Sequence, residues 1–406
     1  MRTIRLQYLA DIPITNGLGL PAEHGNENWP RYVRTTDIES PLSMRDDVFA
    51  SQPPEIACLA PLQRNDIVAS AAGTVGKSMI YASDRPACYA GFLVRFRASD
   101  KADPRFILHW MQSAHYWSQI ERGSVRSTID NFSASKYRAL EVPDYPLTEQ
   151  RRIADFLDDR VARIDKIIAA RRQQLEEVAA LKQACIDQAL SKMPETVAAR
   201  RVVDILPGYA FPSGGFSGEP SDIPLLRGVN VGPGYIRWDE SVYWPKDDAR
   251  RFQRYRLSEG DVVIAMDRPW IGRGLRIGIC GPNDSGSLLL QRVAKLSLGE
   301  SSSQYLYWVF QGSQFEHQVS ADLTGLSVPH LSPEQIGSYV MPWGSRKVRR
   351  DVVSEMTMEI ERSQYGERGL KGSIAALQEY KKSLITAAVT GEFDVTTAST
   401  KIPEFS

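Results

Sequence analysis

The sequence has few cysteines, and their spacing excludes two classes of protein. Cys58, Cys88, Cys185 and Cys280 stand far apart, with no Cys-x-x-Cys pair and no pair of histidines nearby. This spacing fits neither a structural zinc site nor the disulfide framework of a small secreted domain. We therefore expect four reduced and mostly buried thiols.

Long hydrophobic runs are also missing. The longest apolar stretches have the length of a strand, well short of the roughly 20 residues that cross a bilayer. Residues 1–6 include two arginines but lack the apolar segment of a secretory signal. We expect a cytoplasmic protein that makes no membrane contact. At 406 residues the chain is long enough for two or more domains.

The sequence has no excess of charge of either sign. Its 49 lysines and arginines balance 49 aspartates and glutamates, so the formal net charge is zero. A dedicated nucleic-acid-binding protein usually carries surplus positive charge, and the balance therefore counts against that role. Arginines gathered in a few loops, or a second subunit that supplies part of the phosphate contact, would weaken this objection.

Recognisable catalytic motifs are absent. Residues 73–78 look like a phosphate-binding loop, but Ala71 stands where that motif requires its first glycine, and strand-like sequence follows. No Gly-x-Gly-x-x-Gly follows a strand, no Asn/Asp-Pro-Pro-aromatic motif for amino-methyl transfer is found, and the five histidines lack metal-ligand spacing. We predict no catalytic residue, no metal site and no bound cofactor.

The strongest feature that is present is an internal repeat. Four landmarks recur in the same order at an offset of roughly 192 to 199 residues, which is too long for a solenoid unit. The pairs are residues 31–38 with 223–230, 62–68 with 257–263, 106–113 with 305–312, and 129–143 with 328–342. Each match alone is weak. Four in register predict a duplicated domain.

Each half of the repeat ends in a long predicted helix. The first begins after Pro146, with Thr148 as its N-cap, and runs to about Lys192; the second runs from about Lys347 to Thr390. Apolar residues recur at alternating steps of three and four, which is typical of a coiled-coil seam. The seam residues are Leu157, Val161, Ile164, Ile168, Leu175, Val178, Ile374, Leu377, Leu384 and Ala388. Two separate surface helices are the alternative, and the matched positions in the repeat favour pairing.

Three glycines interrupt the second helix. Gly366, Gly369 and Gly372 each cost about 1 kcal/mol relative to alanine in a helix interior. Their clustering predicts a kink or break between Tyr365 and Ser373.

Two segments carry a family resemblance. Residues 146–154 (PLTEQRRIA) and 377–391 (LQEYKKSLITAAVTG) closely resemble the conserved segments of the specificity subunits of type I restriction–modification systems. In that family the first segment follows a target-recognition domain and opens a spacer helix, and the second closes the C-terminal helix. The resemblance covers the whole chain. One departure lies at residues 344–350, which lack Pro-x-x-Glu-Gln and so leave the start of the second helix undefined.

The resemblance implies an α+β fold with a pseudo-twofold internal repeat. Two α/β target-recognition domains would be separated by two long antiparallel coiled-coil helices. The implied boundaries are 1–146 for the first target-recognition domain, 147–193 for the central spacer helix, 194–345 for the second domain, 346–392 for the C-terminal spacer helix and 393–406 for a tail.

The resemblance also implies a function without catalysis. Such a subunit reads a bipartite site in double-stranded DNA, one half with each recognition domain, and binds two modification (methyltransferase) subunits. Restriction subunits, which translocate and cut DNA with ATP, join through the complex. Methylation of adenine belongs to the modification subunits, which use S-adenosylmethionine.

Base readout favours Arg, Lys, Asn and Gln on loops that reach the major groove. The candidates are Arg34, Lys77, Arg122 and Arg126 in the first domain and Arg227, Asn230, Arg268, Arg273 and Arg276 in the second. Each alone fits an ordinary surface or ion-paired residue better. As a group, the arginines of residues 268–276, which flank Trp270, favour DNA contact.

The residues alone leave two other functions open. The chain could be a stand-alone DNA-binding or assembly protein on the same scaffold, and co-purification of a methyltransferase would separate this reading from the first. It could also be a single-chain enzyme with an unrecognised site, which a binding assay with S-adenosylmethionine addresses.

Overall fold

The computed structural model describes residues 2–124, 131–272, 274–298, 303–323 and 329–396. Its internal contacts divide the chain into two units, Met1–Arg172 with Lys371–Ser406, and Gln173–Leu370. Two long helices run from one unit into the other. The fold is the predicted α+β arrangement of two α/β domains and two long antiparallel helices.

The first unit is built from short strands and four short helices, followed by the first long helix. Its strands are β1 (Thr3–Arg5), β2 (Thr15–Asn16), β3 (Arg31–Val33), β4 (Pro61–Leu62), β5 (Ile67–Ser70), β6 (Ser78–Ile80), β7 (Ala87–Tyr89), β8 (Leu93–Phe96) and β9 (Glu141–Pro143). Its helices are α1 (Pro54–Ala57), α2 (Pro104–Trp110), α3 (Ala114–Gly123), α4 (Ala134–Ala139) and the long α5 (Leu147–Ser191).

The second unit has the corresponding elements and several additional short strands. Its strands are β10 (Glu195–Ala198), β11 (Val203–Pro207), β12 (Ile223–Leu226), β13 (Val231–Gly232), β14 (Tyr235–Ile236), β15 (Tyr243–Trp244), β16 (Val262–Ala265), β17 (Trp270–Ile271), β18 (Gly274–Leu275), β19 (Ile277–Ile279), β20 (Leu288–Leu289), β21 (Val293–Leu298) and β22 (Val340–Trp343). Its helices are α6 (Lys246–Ala249), α7 (Ser303–Gln311), α8 (Ser313–Leu323), α9 (Pro333–Ser338) and the long α10 (Arg346–Thr390).

The two units share one sheet topology, so the repeat in the sequence is a repeat in the fold. A four-stranded sheet has the order β2-β8-β5-β6 in the first unit and β11-β21-β16-β19 in the second. A parallel pair, β3 with β7, corresponds to β12 with β20. The antiparallel pair β1 with β9 corresponds to β10 with β22.

The second landmark of the repeat is a turn closed by an aspartate, which is buried in the first unit and half-buried in the second. Asp66 accepts a hydrogen bond from the Gln63 backbone N–H at 2.8 Å, and Asp261 accepts one from the Ser258 N–H at the same distance. In each turn the residue directly before the aspartate lies in the left-handed region: Asn65 at φ 70° and Gly260 at φ 88°. The β-branched strands β5 and β16 follow, which explains why polar turn and apolar strand recur together.

Both long helices are continuous over 45 residues. The helix α5 begins at Leu147, so Thr148 lies inside its first turn and the N-cap prediction was wrong; the Pro146 carbonyl accepts from the Gln150 N–H at 3.0 Å. The predicted break in α10 was also wrong. Its three glycines meet no neighbouring atom where a side chain would start. Their propensity cost, about 1 kcal/mol each, is too small to open the hydrogen-bond ladder.

The helices pack against the recognition domains as well as against each other. In the first unit, Leu157 of α5 and Ile385 of α10 share one hydrophobic core with Phe106 and Trp110 of α2. In the second unit, Leu190 of α5 and Met356 of α10 share a core with residues of α7. Lys381 pairs with Asp165 in the first unit at 2.6 Å, and Lys192 pairs with Glu355 in the second. These pairings give the two helices an antiparallel arrangement.

The predicted seam is buried in part. Leu157, Val161, Ile164, Ile168 and Ala388 are buried. The other five seam residues are half-buried, namely Leu175, Val178, Ile374, Leu377 and Leu384. Three of the buried seam residues, Leu157, Val161 and Ala388, also belong to the core of the first unit.

The Gln of the Pro-Leu-Thr-Glu-Gln segment holds the start of α5 to the first domain. Gln150 is 2% exposed, accepts from the Asp103 N–H at 2.9 Å, and donates to the carbonyls of Lys101 and Tyr145 at 3.0 and 2.9 Å. In the second unit Arg349 replaces it and donates to the Gly344 carbonyl at 3.2 Å. Its guanidinium also lies 4.1 Å from the ring centre of Trp343. A different side chain thus holds the same junction, which explains the departure from the family segment.

The thiol prediction holds for two of the four cysteines. Cys88 and Cys280 are buried, and burial raises the pKa of each thiol to about 12. Cys185 is half-buried, and Cys58 is exposed with its Sγ donating to the Glu55 carbonyl at 3.1 Å.

A hydrogen-bonded carboxylate, Asp158, joins α2 and α5 in the first unit. Burial alone would raise the pKa of Asp158, but the hydrogen bond with His109 at 2.7 Å and the nearby Arg105 lower it below its ordinary value. A carboxyl with a lowered folded-state pKa contributes stability above its unfolded pKa of about 3.9, and that contribution is lost as pH falls through the folded value.

We therefore expect Asp158→Asn to lower the free energy of unfolding at neutral pH and to weaken its fall below pH ~4. Thermal unfolding of both proteins across the acid range measures this. Parallel pH profiles for variant and wild type would show that the carboxylate contributes nothing.

Candidate nucleic-acid interface

The repeat places the same backbone junction at the end of the central strand of each unit. The N–H of Ala71 donates to the Phe92 carbonyl at 2.8 Å, and the N–H of Met266 donates to the Arg292 carbonyl at 2.9 Å. The carbonyls of Ala71 and Met266 in turn accept from the N–H groups of Phe132 and Leu331 at 2.8 and 2.7 Å. We call this junction the loop edge: residues 72–73, 92 and 131 in the first unit, and 267–268, 292 and 330 in the second.

Two of the predicted DNA-binding arginines, Arg34 and Arg227, occupy equivalent positions in the two units, and each lies near a carboxylate. Arg34 donates to the nearly buried Asp37 through Nε at 3.1 Å and Nη2 at 2.7 Å. Arg227 lies 3.6 Å from Glu240. Both arginine side chains are less than a third exposed, at 23% and 28%. These positions hold a short turn in each unit.

Asn230, another predicted DNA contact, is buried and bonded within the second unit. It is 1% exposed, and its amide accepts from the Arg227 N–H at 2.9 Å and donates to the Arg237 carbonyl at 3.0 Å. The equivalent residue, Asp37, makes the same bond to the Arg34 N–H at 2.9 Å. Both side chains stabilise the turn, and at 1% exposure Asn230 presents almost no surface to a base edge.

Lys77 and Arg276 are equivalent as well, and they bind backbone. Lys77 Nζ donates to the Ile38 carbonyl at 2.6 Å, and Arg276 Nε donates to the equivalent Val231 carbonyl at 2.9 Å. Arg276 also donates to the carbonyls of Gly228, Asp267 and Arg268. It is 8% exposed, and burial lowers the pKa of its guanidinium. Arg276 and Lys77 therefore share an internal structural role, and contact of either with DNA stays a prediction.

The other candidates are exposed or lie outside the described residues. Arg122 is exposed on α3, with Nε donating to the Ser118 carbonyl at 3.0 Å. Arg268 is exposed and its backbone lies in the left-handed region, at φ 45°. Arg126 and Arg273 lie outside the described residues. The structure thus brings Arg268 and Arg276 together as predicted, but only Arg268 is exposed.

A charged cluster at the second loop edge was missed by the sequence analysis. Asp267 Oδ1 lies 2.6 Å from His330 Nδ1 and 3.2 Å from Arg292 Nη1, and Arg292 is 57% exposed. Arg292 lies immediately before β21 and belongs to no motif. The available signal was the repeat itself, since His330 aligns with Asn131 and Arg292 aligns with Phe92.

A second basic group of the second unit was also missed. Arg250, Arg251 and Arg254 are exposed on the 3₁₀ segment Arg250–Tyr255. The segment packs on Tyr209 through Phe252 and Tyr255, with ring centres 4.8 and 5.4 Å apart. Tyr209 is hydrogen-bonded to Gln291, next to Arg292. These arginines are therefore connected to the second loop edge through packed aromatic residues.

Within the described ranges, no group of three or more His, Cys, Asp or Glu side chains is placed to hold a metal ion. The same part of the chain contains no helix both long enough and apolar enough to cross a bilayer.

Comparison with known proteins identifies one family. The family model described as "Type I restriction modification DNA specificity domain" matches residues 58–177. The Escherichia coli EcoAI specificity subunit is 33% identical over 157 residues, covering 38% of this chain and 26% of that protein. The Methanocaldococcus jannaschii MjaVIII specificity subunit is 27% identical over 215 residues, covering 48% and 49%. The matched regions thus span about a quarter to a half of these relatives.

The similarity of fold extends over the whole chain. A chain solved in a study of complex assembly and conformational transition of the type I R-M system superposes with a TM-score of 0.73, covering 97% of this chain and 98% of that one at 15% identity. The match of the family model at residues 58–177 includes the segment that opens α5. The chain is therefore similar in sequence to type I restriction–modification specificity subunits over part of its length, and similar in fold to a solved type I R-M chain over nearly all of it.

Proposed function

We propose that this chain is the DNA-recognition subunit of a type I restriction–modification complex. Each recognition domain, residues 1–146 and 194–345, reads one half of a bipartite site in double-stranded DNA. The observation that carries this proposal is the shared topology of the two units combined with different side chains at their loop edges. A duplicated scaffold with different contact residues suits a DNA site of two different half-sites.

The zero net charge is compatible with this function because the exposed basic residues are grouped. Arg268 and Arg292 lie at the second loop edge, and Arg250, Arg251 and Arg254 lie on the neighbouring 3₁₀ segment. Two of these arginines have a partly exposed carboxylate partner at 3.2 Å, Arg292 with Asp267 and Arg251 with Asp248, whereas Arg97 is neutralised by the buried Asp66 at 2.6 Å. Local grouping of positive charge supports phosphate contact on an overall neutral chain.

The chain itself is proposed to be non-catalytic and to bind no cofactor. Two modification (methyltransferase) subunits would methylate adenine, with restriction subunits joining the complex. The two long helices, residues 147–193 and 346–392, support this assembly role because they hold both recognition domains. Relatives named as specificity subunits of restriction enzymes agree with it.

Reconstitution tests the proposal. The purified chain should show neither methyl transfer nor DNA cleavage, and adding its cognate modification subunits with S-adenosylmethionine should produce adenine methylation at one bipartite sequence. Sequencing of methylated positions in a plasmid library measures both the activity and the site. Methylation by the chain alone would contradict the division of labour, and a reconstituted complex without sequence preference would contradict the recognition role.

A further inference from the structure

We propose that Arg268 and Arg292 determine specificity in the second recognition domain, and that Phe92 does so in the first. The two domains would thus read DNA with different chemistry from equivalent positions. This inference rests on the proposed function, and it names residues that the family segments do not include.

The repeat separates scaffold positions from variable positions. Residues with a structural role have the same type of side chain at equivalent positions of both units. These pairs are Arg34 with Arg227, Lys77 with Arg276, and Gln119 with Gln318, whose amide oxygens accept from the backbone N–H groups of Glu141 and Val340. At the loop edge the backbone hydrogen bonds and bridges correspond but the side chains differ: Ala72 with Asp267, Gly73 with Arg268, Phe92 with Arg292, and Asn131 with His330. Two different half-sites require such differences at the surface that reads them.

The backbone conformation of the two arginines supports a functional role. Gly73 lies at φ 76°, where glycine is unstrained, and the equivalent Arg268 lies in the same left-handed region at φ 45°. Arg292 also lies there, at φ 70°. Non-glycine residues held in this region cluster at functional sites, because folding alone would favour glycine there.

The surrounding groups hold these arginines in position. Arg276 donates to the carbonyls of Asp267 and Arg268 at 2.8 and 3.3 Å, and it thereby fixes the loop that carries Arg268. The Asp267 carboxylate contacts both Arg292 and His330. Arg276 and Asp267 are therefore positioning residues. A guanidinium that is already held in its binding position before DNA binds loses less conformational freedom when it makes two hydrogen bonds to guanine O6 and N7.

Phe92 offers the first unit a different contact. Its side chain is 66% exposed, although its backbone is fixed by the hydrogen bond from Ala71. An exposed aromatic side chain at a DNA-reading edge can contact the methyl group of thymine or enter between base steps. We therefore infer an apolar readout in the first half-site and an arginine readout in the second.

The test uses the reconstituted complex and a random-sequence duplex DNA library. Bound sequences are selected for wild type, for the double variant Arg268→Gly/Arg292→Gly, and for Phe92→Ser. We expect the double variant to lose guanine preference about 10- to 100-fold at one or two positions of one half-site only. Phe92→Ser should change the other half-site only.

Stability measurements distinguish a functional loss from misfolding. Glycine relieves the left-handed backbone, so Arg268→Gly/Arg292→Gly should leave the melting temperature unchanged or raise it by about 2–4 °C. Asn65→Gly is the matched control, since Asn65 also has positive φ but lies at the opposite end of β5. It should leave the selected sequences unchanged.

The outcomes separate this inference from the proposed function. Wild-type selection of a bipartite site with no change in either variant would overturn the inference while the recognition role stands. Equal weakening on all sequences, with a smaller salt dependence, would show that the arginines contact phosphate and would also overturn it. If wild type selects no site, the recognition role itself fails.

Discussion

Replacing Asp66 with alanine should destabilise the first unit by about 3–5 kcal/mol, because it leaves a partly buried guanidinium without its partner. The Asp66 side chain is 1% exposed and binds Arg97 through two hydrogen bonds, at 2.7 Å from Nε and 2.6 Å from Nη2. It also accepts from the Gln63 N–H in the turn before β5. Urea unfolding of the full chain, followed by circular dichroism, measures the loss.

A surface ion pair of nearly the same length is the matched control. Arg64 and Asp84 lie 2.7 Å apart but are 57% and 79% exposed. Solvent screens such a pair, and removing it typically changes stability by less than about 1 kcal/mol. Asp84→Ala should therefore leave unfolding almost unchanged. Equal effects of Asp66→Ala and Asp84→Ala would show that burial does not decide the contribution of this ion pair.

The aspartate turn shows what sequence reasoning could find. The recurrence of Asp66 and Asp261 before β-branched strands identified the repeat, and with it the shared sheet topology. Strand order, however, depends on pairing between residues far apart in the chain, such as β2 with β8. Local patterns contain no information on which distant strand pairs with which.

The two long helices were predictable in their extent but not in their continuity. Their apolar period located both helices to within about two residues, as expected for long periodic segments. The glycines in α10 suggested a break because helix propensity was considered alone. In the structure, packing of Met356 and Ile360 at one end and of Ile385 and Val389 at the other stabilises the helix on both sides of the glycines.

The DNA-facing candidates were the least predictable part. Arginine is the preferred residue for base contact and also for binding buried backbone carbonyls, as in Arg276. Residue type therefore could not separate the two roles. Comparing the two units separates them, because Arg276 and Lys77 bind equivalent carbonyls whereas Arg292 and Phe92 share only a backbone position.

Replacing Leu157 with aspartate should be among the most damaging single changes in the chain. Leu157 is fully buried in the core that joins α5, α10 and the first recognition domain. The change removes a large apolar side chain from a packed core, which typically costs about 2–5 kcal/mol, and it adds an unpaired charge that costs several more. We expect loss of cooperative unfolding of the first unit, measured by urea titration, together with loss of site-specific DNA binding by the reconstituted complex.

The same substitution at an exposed position of α5 is the control. Ile167 is 45% exposed, so Ile167→Asp should change stability by no more than about 0.5 kcal/mol. Leu157→Met keeps the volume and the apolar character of the side chain and should cost less than about 1.5 kcal/mol. If Leu157→Asp instead unfolds like Ile167→Asp, then α5 is not held in the shared core through this residue. Wild-type stability with lost DNA binding would instead place Leu157 in a contact with a partner subunit or DNA.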